Sequence, residues 1–287
     1  MNVSIVGAGR VGTALAVLLA RAGHRIVAVS GRGPTRDRAS RFLPDVPFLD
    51  PAEAARAGDL VVIAVPDDEI HAIAERIAAA GGFHQGQWVV HLAGAYGLDV
   101  LAPVRAAGAR PLALHLLQTF PDVAGALDRI PGSTMAVTAD DAEGSIVGER
   151  VGYDLGARPF RLEDHKRPLY HAAAVFASNY LIVASGIAEE LFRDVGVPDP
   201  LQVMLPLQRA TLDNVERLGP MRALTGPAVR GDSTTIERNL SALRETAPHA
   251  VRAYLALCRL ALDMGSASGR LTAEGRATVE EVLARWS

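Results

Sequence analysis

The chain has 287 residues, of which 49% are hydrophobic and 21% are charged, and its formal net charge is −3. This composition permits a substantial buried core, which argues against intrinsic disorder. It also lacks the basic excess that would favour nucleic acid or an anionic membrane as partner. A single cysteine, Cys258, excludes an internal disulfide and a zinc site, and no metal site is predicted. The length predicts two domains. No signal-peptide pattern precedes the first apolar run, so we expect a cytoplasmic protein.

The first 160 residues alternate short apolar runs with amphipathic stretches. The predicted strands cover residues 2–6, 25–30, 60–65, 88–92, 110–115 and 133–138. The predicted helices cover residues 12–22, 51–57, 68–80 and 99–107. Strands and helices that alternate in this way form a parallel sheet with helices on both faces. We therefore predict an α/β domain with a doubly wound parallel sheet over residues 1–160.

The rest of the chain, residues 161–287, has helical periodicity. The predicted helices cover residues 168–195, 200–218, 233–246, 248–264 and 272–286. The longest uncharged run, residues 172–188, contains several polar side chains. We interpret it as part of a buried core helix rather than a membrane span, with Phe176 and Leu181 in the core. The second domain is therefore predicted to be all-α.

A glycine pattern follows the first predicted strand and opens the first predicted helix. Gly7, Gly9 and Gly12 form a G-x-G-x-x-G sequence. The first glycine permits a tight turn, the second lets the backbone approach a pyrophosphate, and the third lets the helix pack closely on the strand. The alternative is a structural glycine-rich turn, which the strand–turn–helix context disfavours. The pattern predicts a Rossmann dinucleotide-binding domain, with cofactor contacts from Gly7, Ala8, Gly9, Arg10, Val11 and Gly12.

The end of the second predicted strand distinguishes between the two nicotinamide dinucleotides. An NAD site has an Asp or Glu here, which binds the ribose 2′-hydroxyl. This chain has no acidic residue before Asp37, and Ser30 and Arg32 stand at the strand end. A guanidinium can pair with the 2′-phosphate of NADP, and a serine hydroxyl can add a hydrogen bond. We therefore predict NADP, the alternative being that Arg32 is a solvated loop charge.

The later predicted strands end at the same edge of the sheet, where ligands bind in open α/β folds. Residues expected to line the cofactor there are Val65, Pro66, Ala93 and Gly94. His115 and Gln118 stand at the end of the fifth strand, where their polar groups can face the nicotinamide or the substrate. The alternative, that both are turn or cap residues, remains open. We treat them as candidate substrate-binding residues.

These segments, taken with residues 170–180 and 224–232, resemble one group of proteins over essentially the whole chain. The group consists of Rossmann-like oxidoreductases whose C-terminal half is a domain of unknown function. It is similar in architecture to pyrroline-5-carboxylate reductases, ketopantoate reductases and 6-phosphogluconate dehydrogenases. The resemblance implies NADP use, a helical second domain like the C-terminal domain of 6-phosphogluconate dehydrogenases, and a homodimer formed through that domain. It implies no particular substrate.

The chain departs from these relatives at the catalytic position. Ketopantoate reductases place a catalytic lysine four residues before an asparagine, but Val175 occupies that position before Asn179, and Lys166 lies further upstream. His171 is our proposed replacement, because Ser178 and Asn179 follow it within about two turns of one predicted helix. The alternatives are a structural core histidine at 171, with Lys166 or water as the proton donor.

A loop between two predicted helices is the second candidate substrate site. Its glycines and hydroxyl groups can hold a carboxylate at the start of the following helix, and Arg230 can pair with one. The loop is similar in character to the Gly- and Thr-rich substrate loop of pyrroline-5-carboxylate reductases. The alternative is an interhelical turn before a well-capped helix. The candidate substrate-binding residues here are Thr225, Gly226, Arg230, Asp232 and Thr235.

Together these features predict an NADPH-dependent oxidoreductase that transfers hydride to a small carboxylate-bearing carbonyl compound, such as a ketopantoate-like 2-oxo acid. The first alternative is an imine reductase of the pyrroline-5-carboxylate type. The second, from another class, is a non-catalytic NADP-binding sensor or regulatory protein. The missing lysine–asparagine pair favours the sensor, whereas the polar residues His171, Ser178 and Asn179 favour an enzyme.

Overall fold

The computed structural model describes all 287 residues, which form two compact units, Met1–Ala177 and Ser178–Ser287. The strands of the first unit are β1 (Asn2–Val6), β2 (Arg25–Ser30), β3 (Leu60–Ile63), β4 (Trp88–His91), β5 (Arg110–Leu116), β6 (Thr134–Ala139) and β7 (Arg158–Arg161). They form one sheet in the order β2-β1-β3-β4-β5-β6-β7, parallel except between β5 and β6. The chain passes from β1 to β2 on one side and then to β3 on the other. This reversal beside the end of β1 marks the ligand-binding edge of an open α/β sheet.

Helices cover both faces of the sheet. They are α1 (Arg10–Arg21), α2 (Gly33–Phe42), α3 (Pro51–Ala57), α4 (Ile70–Ala79), α5 (Ala102–Ala106), α6 (Val123–Arg129), α7 (Ala142–Asp154) and α8 (Arg167–Ala177). Buried side chains of α1, α6 and α7 pack with Val3 and Ile5 of β1. Those of α3, α4 and α5 pack with Val61 and Ile63 of β3 on the opposite face. The predicted α/β class is therefore confirmed.

The first unit extends beyond the expected domain boundary at residue 160. Strand β7 pairs in parallel with β6, and helix α8 follows within the same unit. The side chain of Arg167, the first residue of α8, is completely buried and binds backbone oxygens in the loops after β4. The start of α8 is therefore fastened to the sheet, and the units divide between Ala177 and Ser178.

The second unit is helical, as predicted. Its helices are α9 (Asn179–Asp194), α10 (Pro200–Leu218), α11 (Pro220–Ala223), α12 (Pro227–Arg230), α13 (Ser233–Thr246), α14 (Pro248–Ala267) and α15 (Ala273–Arg285). Its core is formed by α12 to α15, with Ile236 and Leu240 of α13 packed against Leu255 and Leu262 of α14 and Val279 of α15. Asp232 and Thr272 cap α13 and α15 through their side chains, as their sequence positions indicate.

The prediction of one long, buried helix over residues 168–195 is wrong. The helix is interrupted at Ser178, whose φ of −126° and ψ of −66° are not helical, and no residue of α9 is buried. Phe176 and Leu181, expected in the core, are 64% and 42% exposed. The helical stretch Asp164–Asp194 is long enough and apolar enough to cross a membrane, by length and composition only. In the structure this stretch is divided at Ser178 into α8, of 11 residues, and α9, of 16 residues.

Candidate functional site

The glycine-rich turn after β1 is built as its sequence predicts. Gly7 has a φ of +104°, and a side chain there would overlap the carbonyl oxygen of Ala64. A side chain on Gly12 would overlap the carbonyl oxygen of Gly7 and lie 3.1 Å from Cβ of Ala64. By contrast, a side chain on Gly9 would meet nothing closer than 4.0 Å. The first and third glycines are thus required by packing, whereas the second leaves the start of α1 open to a ligand.

Ser30 supports this turn from the end of β2. Its carbonyl oxygen accepts hydrogen bonds from the backbone N–H groups of Gly7 (2.9 Å) and Ala8 (2.8 Å). Its side chain is completely buried, and the hydroxyl has no hydrogen-bond partner within the protein. An unpartnered buried hydroxyl is costly. Ser30 is also one of the residues that line the cavity described next.

A cavity of about 660 Å³ opens over the turn, between the ends of β1, β2 and β3. We call it the fingerprint cavity. The predicted cofactor residues that line it are Gly7, Gly9, Ser30, Arg32, Val65 and Pro66. Among its other lining residues are Thr35, Glu69, Ile73 and Arg76. The cavity therefore combines apolar surface with two arginines and one carboxylate.

Arg32 forms an ion pair across this cavity. One guanidinium nitrogen donates to both carboxylate oxygens of Glu69, at 2.5 and 2.6 Å. The side chains are 77% and 39% exposed, so water screens the pair and its contribution to stability is small. Arg32 is also the residue that precedes α2, and its carbonyl accepts the hydroxyl hydrogen of Thr35. Arg32, the residue predicted to bind the 2′-phosphate, is therefore already paired with the carboxylate of Glu69, which an incoming phosphate would displace.

A second cavity, of about 250 Å³, lies at the ends of β3, β4 and β5. We call it the strand-edge cavity. Its lining includes the apolar residues Val11, Val65, Leu92 and Phe120 and the polar residues Asp67, His115 and Gln118. Ala64 and Val65 line both cavities, so the two lie next to each other along the edge of the sheet. Burial raises the pKa of the Asp67 carboxyl.

His115 stands beside two side chains of α8. Its Nδ1 lies 2.9 Å from the hydroxyl oxygen of Tyr170, and its ring centroid lies 6.1 Å from that of His171. Gly94 lies against the same rings, because a methyl group there would overlap Cδ2 of His171 and approach Nε2 of His115 to 2.9 Å. The structure thus brings together predicted residues 94, 115 and 171, and adds Tyr170, which the sequence analysis did not select.

Arg167 provides a buried positive charge beneath this cluster. Its guanidinium donates to the carbonyl oxygens of Ala93 and Tyr96 and, at 2.9 Å, to the hydroxyl of Thr138. Burial lowers the pKa of Arg167, but an arginine remains charged near neutral pH. Its hydrogen-bond partners are neutral carbonyls and a hydroxyl, and the nearby carboxylates of Asp164 and Asp67 stabilise its charge electrostatically. Arg167 also holds the 93–96 loop in place.

Two histidines near Arg167, His115 and His91, are uncharged near neutral pH. Burial, reinforced by the charge of Arg167, lowers the pKa of His115 to about 4 and that of His91 to about 3. Nδ1 of His91 accepts from the N–H of Ala93 at 3.2 Å, and its Nε2 lies 3.1 Å from the carbonyl oxygen of Gly97. His91 is therefore a structural residue that shapes the loop after β4. His115, which lines a cavity, is free to act on a ligand.

The other predicted site residues belong to the second unit. Ser178 precedes α9 without capping it through its side chain, and Asn179 is the first residue of α9. Asp232 caps α13, accepting from the N–H (3.0 Å) and hydroxyl (2.7 Å) of Thr235, which lowers the pKa of the Asp232 carboxyl. Arg230 lies 3.9 Å from Asp232. The break at Ser178 removes the helical spacing that had placed His171, Ser178 and Asn179 on one face.

Two known families match the chain, in the same order as the two predicted domains. A family described as a Rossmann-like domain matches residues 1–116. A family described as a domain of unknown function, DUF2520, matches residues 133–261. The chain is a Rossmann-like domain joined to a DUF2520 domain. This confirms the resemblance inferred from the glycine pattern and the segments 170–180 and 224–232.

Solved structures of the same fold cover nearly the whole chain. A Bacteroides fragilis protein named as an NADP oxidoreductase is 25% identical, with a TM-score of 0.76 over 91% of this chain and 98% of that chain. An imine reductase from Myxococcus stipitatus in complex with NADP+ is 16% identical, with a TM-score of 0.68 over 100% and 99%. A Plasmodium falciparum pyrroline carboxylate reductase with NADP bound is 14% identical, with a TM-score of 0.56 over 92% and 98%. The last two show similarity of fold alone.

Sequence similarity to curated enzymes is confined to a short segment. A glycerol-3-phosphate dehydrogenase [NAD(P)+] from Pectobacterium atrosepticum is 42% identical over 79 residues. The match covers 23% of this Rossmann–DUF2520 chain and 23% of that enzyme's length.

Three residues of the Rossmann unit were missed by sequence reasoning. Arg167 and Tyr170 lie in the segment that contains His171, from which only His171, Ser178 and Asn179 were predicted as catalytic residues. Glu69 follows Asp67 and Asp68 in a short acidic run, which is typical of a helix start. The signal available for Arg167 was its position directly before a long apolar helical pattern, where a charged side chain can be buried.

Proposed function

We propose that this protein is an NADPH-dependent reductase acting on the C=O or C=N bond of a small organic substrate. The observation that carries the proposal is the adjacency of the two cavities at Ala64 and Val65. One cavity has the glycine turn and a phosphate-pairing arginine, and the other has apolar walls with a neutral histidine. A dinucleotide needs both environments, one for its phosphates and one for its nicotinamide.

The residues of the fingerprint cavity fit NADP. The turn needs glycine at positions 7 and 12, and no side chain blocks the start of α1 at Gly9. Arg32 and Ser30 line the cavity, and the buried hydroxyl of Ser30 has no partner within the protein. Gly7, Gly9 and the first residues of α1 would hold the pyrophosphate, and Arg32 would hold the 2′-phosphate. Solved structures of this fold bound to NADP or NADPH support the same cofactor.

The chemistry that NADPH supplies when bound is a hydride. The chain's own part is to orient the substrate, exclude water and provide a proton. Val11, Val65, Leu92 and Phe120 form the apolar walls that limit water in the strand-edge cavity. His171, beside Gly94 and His115, is our candidate for the group that orients the substrate or supplies its proton.

Two substrate classes follow. A carboxylate-bearing carbonyl compound of the ketopantoate type is our first candidate, and the substrate-binding residues predicted for it in the second unit are Thr225, Gly226, Arg230, Asp232 and Thr235. An imine is the second, because solved structures of this fold include imine reductases and a reductive aminase. In the structure, Asp232 and Thr235 are engaged in capping α13, which leaves Arg230 as the strongest candidate ligand of this set.

The test is NADPH oxidation measured with a panel of 2-oxo acids, ketones with amines, and cyclic imines. We expect turnover with one of these classes and a preference for NADPH over NADH. A protein that binds NADPH tightly but turns over no compound of the panel would contradict the enzyme assignment and favour a sensor. Equal or tighter binding of NADH would contradict the cofactor assignment.

A further inference from the structure

We propose that Tyr170 and His115 form a proton relay, in which the phenol hydroxyl donates to Nδ1 of His115 and Nε2–H of His115 donates to the substrate. The inference rests on the proposed reductase function and adds the group that delivers the proton. His171 then serves to orient the substrate. The relay is built within the first unit, from the end of β5 and the first turn of α8.

The direction of the hydrogen bond between the two residues follows from their chemistry. The Tyr170 hydroxyl lies 2.9 Å from Nδ1 of His115. A neutral imidazole carries one N–H and one acceptor nitrogen, and a half-buried phenol needs an acceptor for its hydrogen. If Tyr170 donates, Nδ1 is the acceptor and the imidazole hydrogen is on Nε2. His115 thereby presents a donor on the side away from Tyr170.

No protein acceptor is hydrogen-bonded to that donor. A methyl group on Gly94 would lie 2.9 Å from Nε2, so the absence of a side chain at residue 94 keeps the space beside this nitrogen unfilled by protein. His115 also lines the strand-edge cavity, together with Val65 and Leu92. No protein hydrogen bond to Nε2 of His115 competes with a ligand, in contrast to Nε2 of His91, which is bonded to Gly97. The nitrogen is therefore placed to bind a substrate heteroatom.

The charges around His115 favour passing a proton through its imidazole over holding a second proton on it. The titratable and charged groups around His115 are Arg167, Tyr170 and His171 of α8, His91 of β4 and Asp67 of the same cavity. The charge of Arg167 disfavours an imidazolium and favours a phenolate, opposing the rise that burial imposes on the pKa of Tyr170. His115 therefore works as a neutral bridge, and the proton it gives up is replaced from Tyr170.

In the proposed reduction, NADPH would supply a hydride, with its two electrons, to the substrate carbon. The π electron pair of the C=O or C=N bond would then move to the heteroatom. The heteroatom takes the Nε2 proton of His115, while Nδ1 takes the hydroxyl proton of Tyr170. The imidazole ends neutral in its other tautomer, and Tyr170 ends as a phenolate. Before the next turnover Nε2 takes a proton from water while Nδ1 returns its proton to the phenolate, which restores both groups.

The first test is ¹⁵N NMR of the protein labelled at histidine nitrogens, at about pH 7, without any substrate. We expect a protonated Nε2 and an unprotonated Nδ1 for His115, assigned with His115→Asn. In Tyr170→Phe this preference should be reduced, whereas Tyr153→Phe, which changes a tyrosine 64% exposed on α7, should leave it unchanged. A protonated Nδ1 that donates to the Tyr170 oxygen would overturn the relay.

The second test is kinetic. With a substrate found by the panel, Tyr170→Phe and His115→Asn should each lower kcat about 10²-fold, the size of a general-acid effect, with NADPH affinity unchanged within about twofold. The rate should stay level from about pH 6 to 8, because neither relay group titrates there. If His171→Asn abolishes turnover while Tyr170→Phe does not, the relay is wrong. If the wild type turns over no substrate, the reductase function fails instead, and the tautomer measurement still tests the pair.

Discussion

Replacing Glu69 with Gln should tighten NADPH binding and leave NADH binding unchanged. In the structure, Glu69 holds both of its oxygens against the guanidinium of Arg32, at 2.5 and 2.6 Å. A 2′-phosphate must displace that carboxylate to reach Arg32, so the ion pair opposes NADP binding. NADH has no 2′-phosphate and does not need Arg32. The substitution keeps the size of the side chain and removes the charge, so it isolates this competition.

The magnitude follows from the exposure of the two side chains. Because they are 77% and 39% exposed, the pair is worth about 0.2–1 kcal/mol. Its removal should therefore lower the Kd for NADPH by about 1.4- to 5-fold. Arg32→Gln removes charge-assisted hydrogen bonds to the phosphate that are worth about 1.5–3 kcal/mol, so it should raise that Kd by about 13- to 160-fold.

The assay is a titration of NADPH and NADH against the wild type, both single variants and the double variant. If Glu69 acts through Arg32, adding Glu69→Gln to Arg32→Gln should change the NADPH affinity by less than about 1.4-fold, because no competition remains. The effect in the single variant should shrink at high salt, which screens exposed charges. An equal gain for NADH, or the same gain in the Arg32→Gln background, would refute the reasoning.

Three further predictions concern other parts of the chain. Lowering the pH from 7 to 5 should reduce the free energy of unfolding by about 2 kcal/mol through His91, because the pKa of this histidine is about 6.5 in the unfolded chain and about 3 in the folded protein. Urea unfolding at the two pH values should show a smaller loss for His91→Gln than for the wild type. Gly94→Ala should lower turnover at least tenfold, because the methyl group overlaps His171; unchanged kcat would contradict the assigned geometry. The protein should sediment as a homodimer that Ile182→Glu weakens, since Ile182 on α9 is 66% exposed; a concentration-independent monomer would contradict this.

The parts of the fold that were predictable depend on local rules. The glycine turn after β1 has two backbone positions that exclude a side chain, Gly7 and Gly12, so the sequence identifies it directly. The ends of α13 and α15 follow from the capping side chains of Asp232 and Thr272. The parallel strands β1 to β5 follow from their apolar runs, whereas β7, with the sequence Arg-Pro-Phe-Arg, has no such run and was not predicted.

The break at Ser178 and the exposure of α9 were not predictable in this way. Apolar periodicity reads the same for one long helix as for two that meet at a kink, and Ser178 carries no proline or glycine signal. Periodicity also shows that a face is apolar but not what covers it. A helix that is buried in a core and one that awaits a partner therefore give the same pattern.

A site residue could be predicted from the sequence only where it can be recognised without knowing its partners in the fold. A glycine pattern or a missing acidic residue can be recognised in isolation, so candidate cofactor residues could be named from the sequence. Contacts between residues distant in sequence, such as His115 with Tyr170 and Arg32 with Glu69, could not. Arg167 shows why: its buried guanidinium joins the loop after β4 to α8 and also sets the charge around His115, and both effects depend on the folded topology. Its chemistry becomes interpretable only once the sheet has brought those segments together.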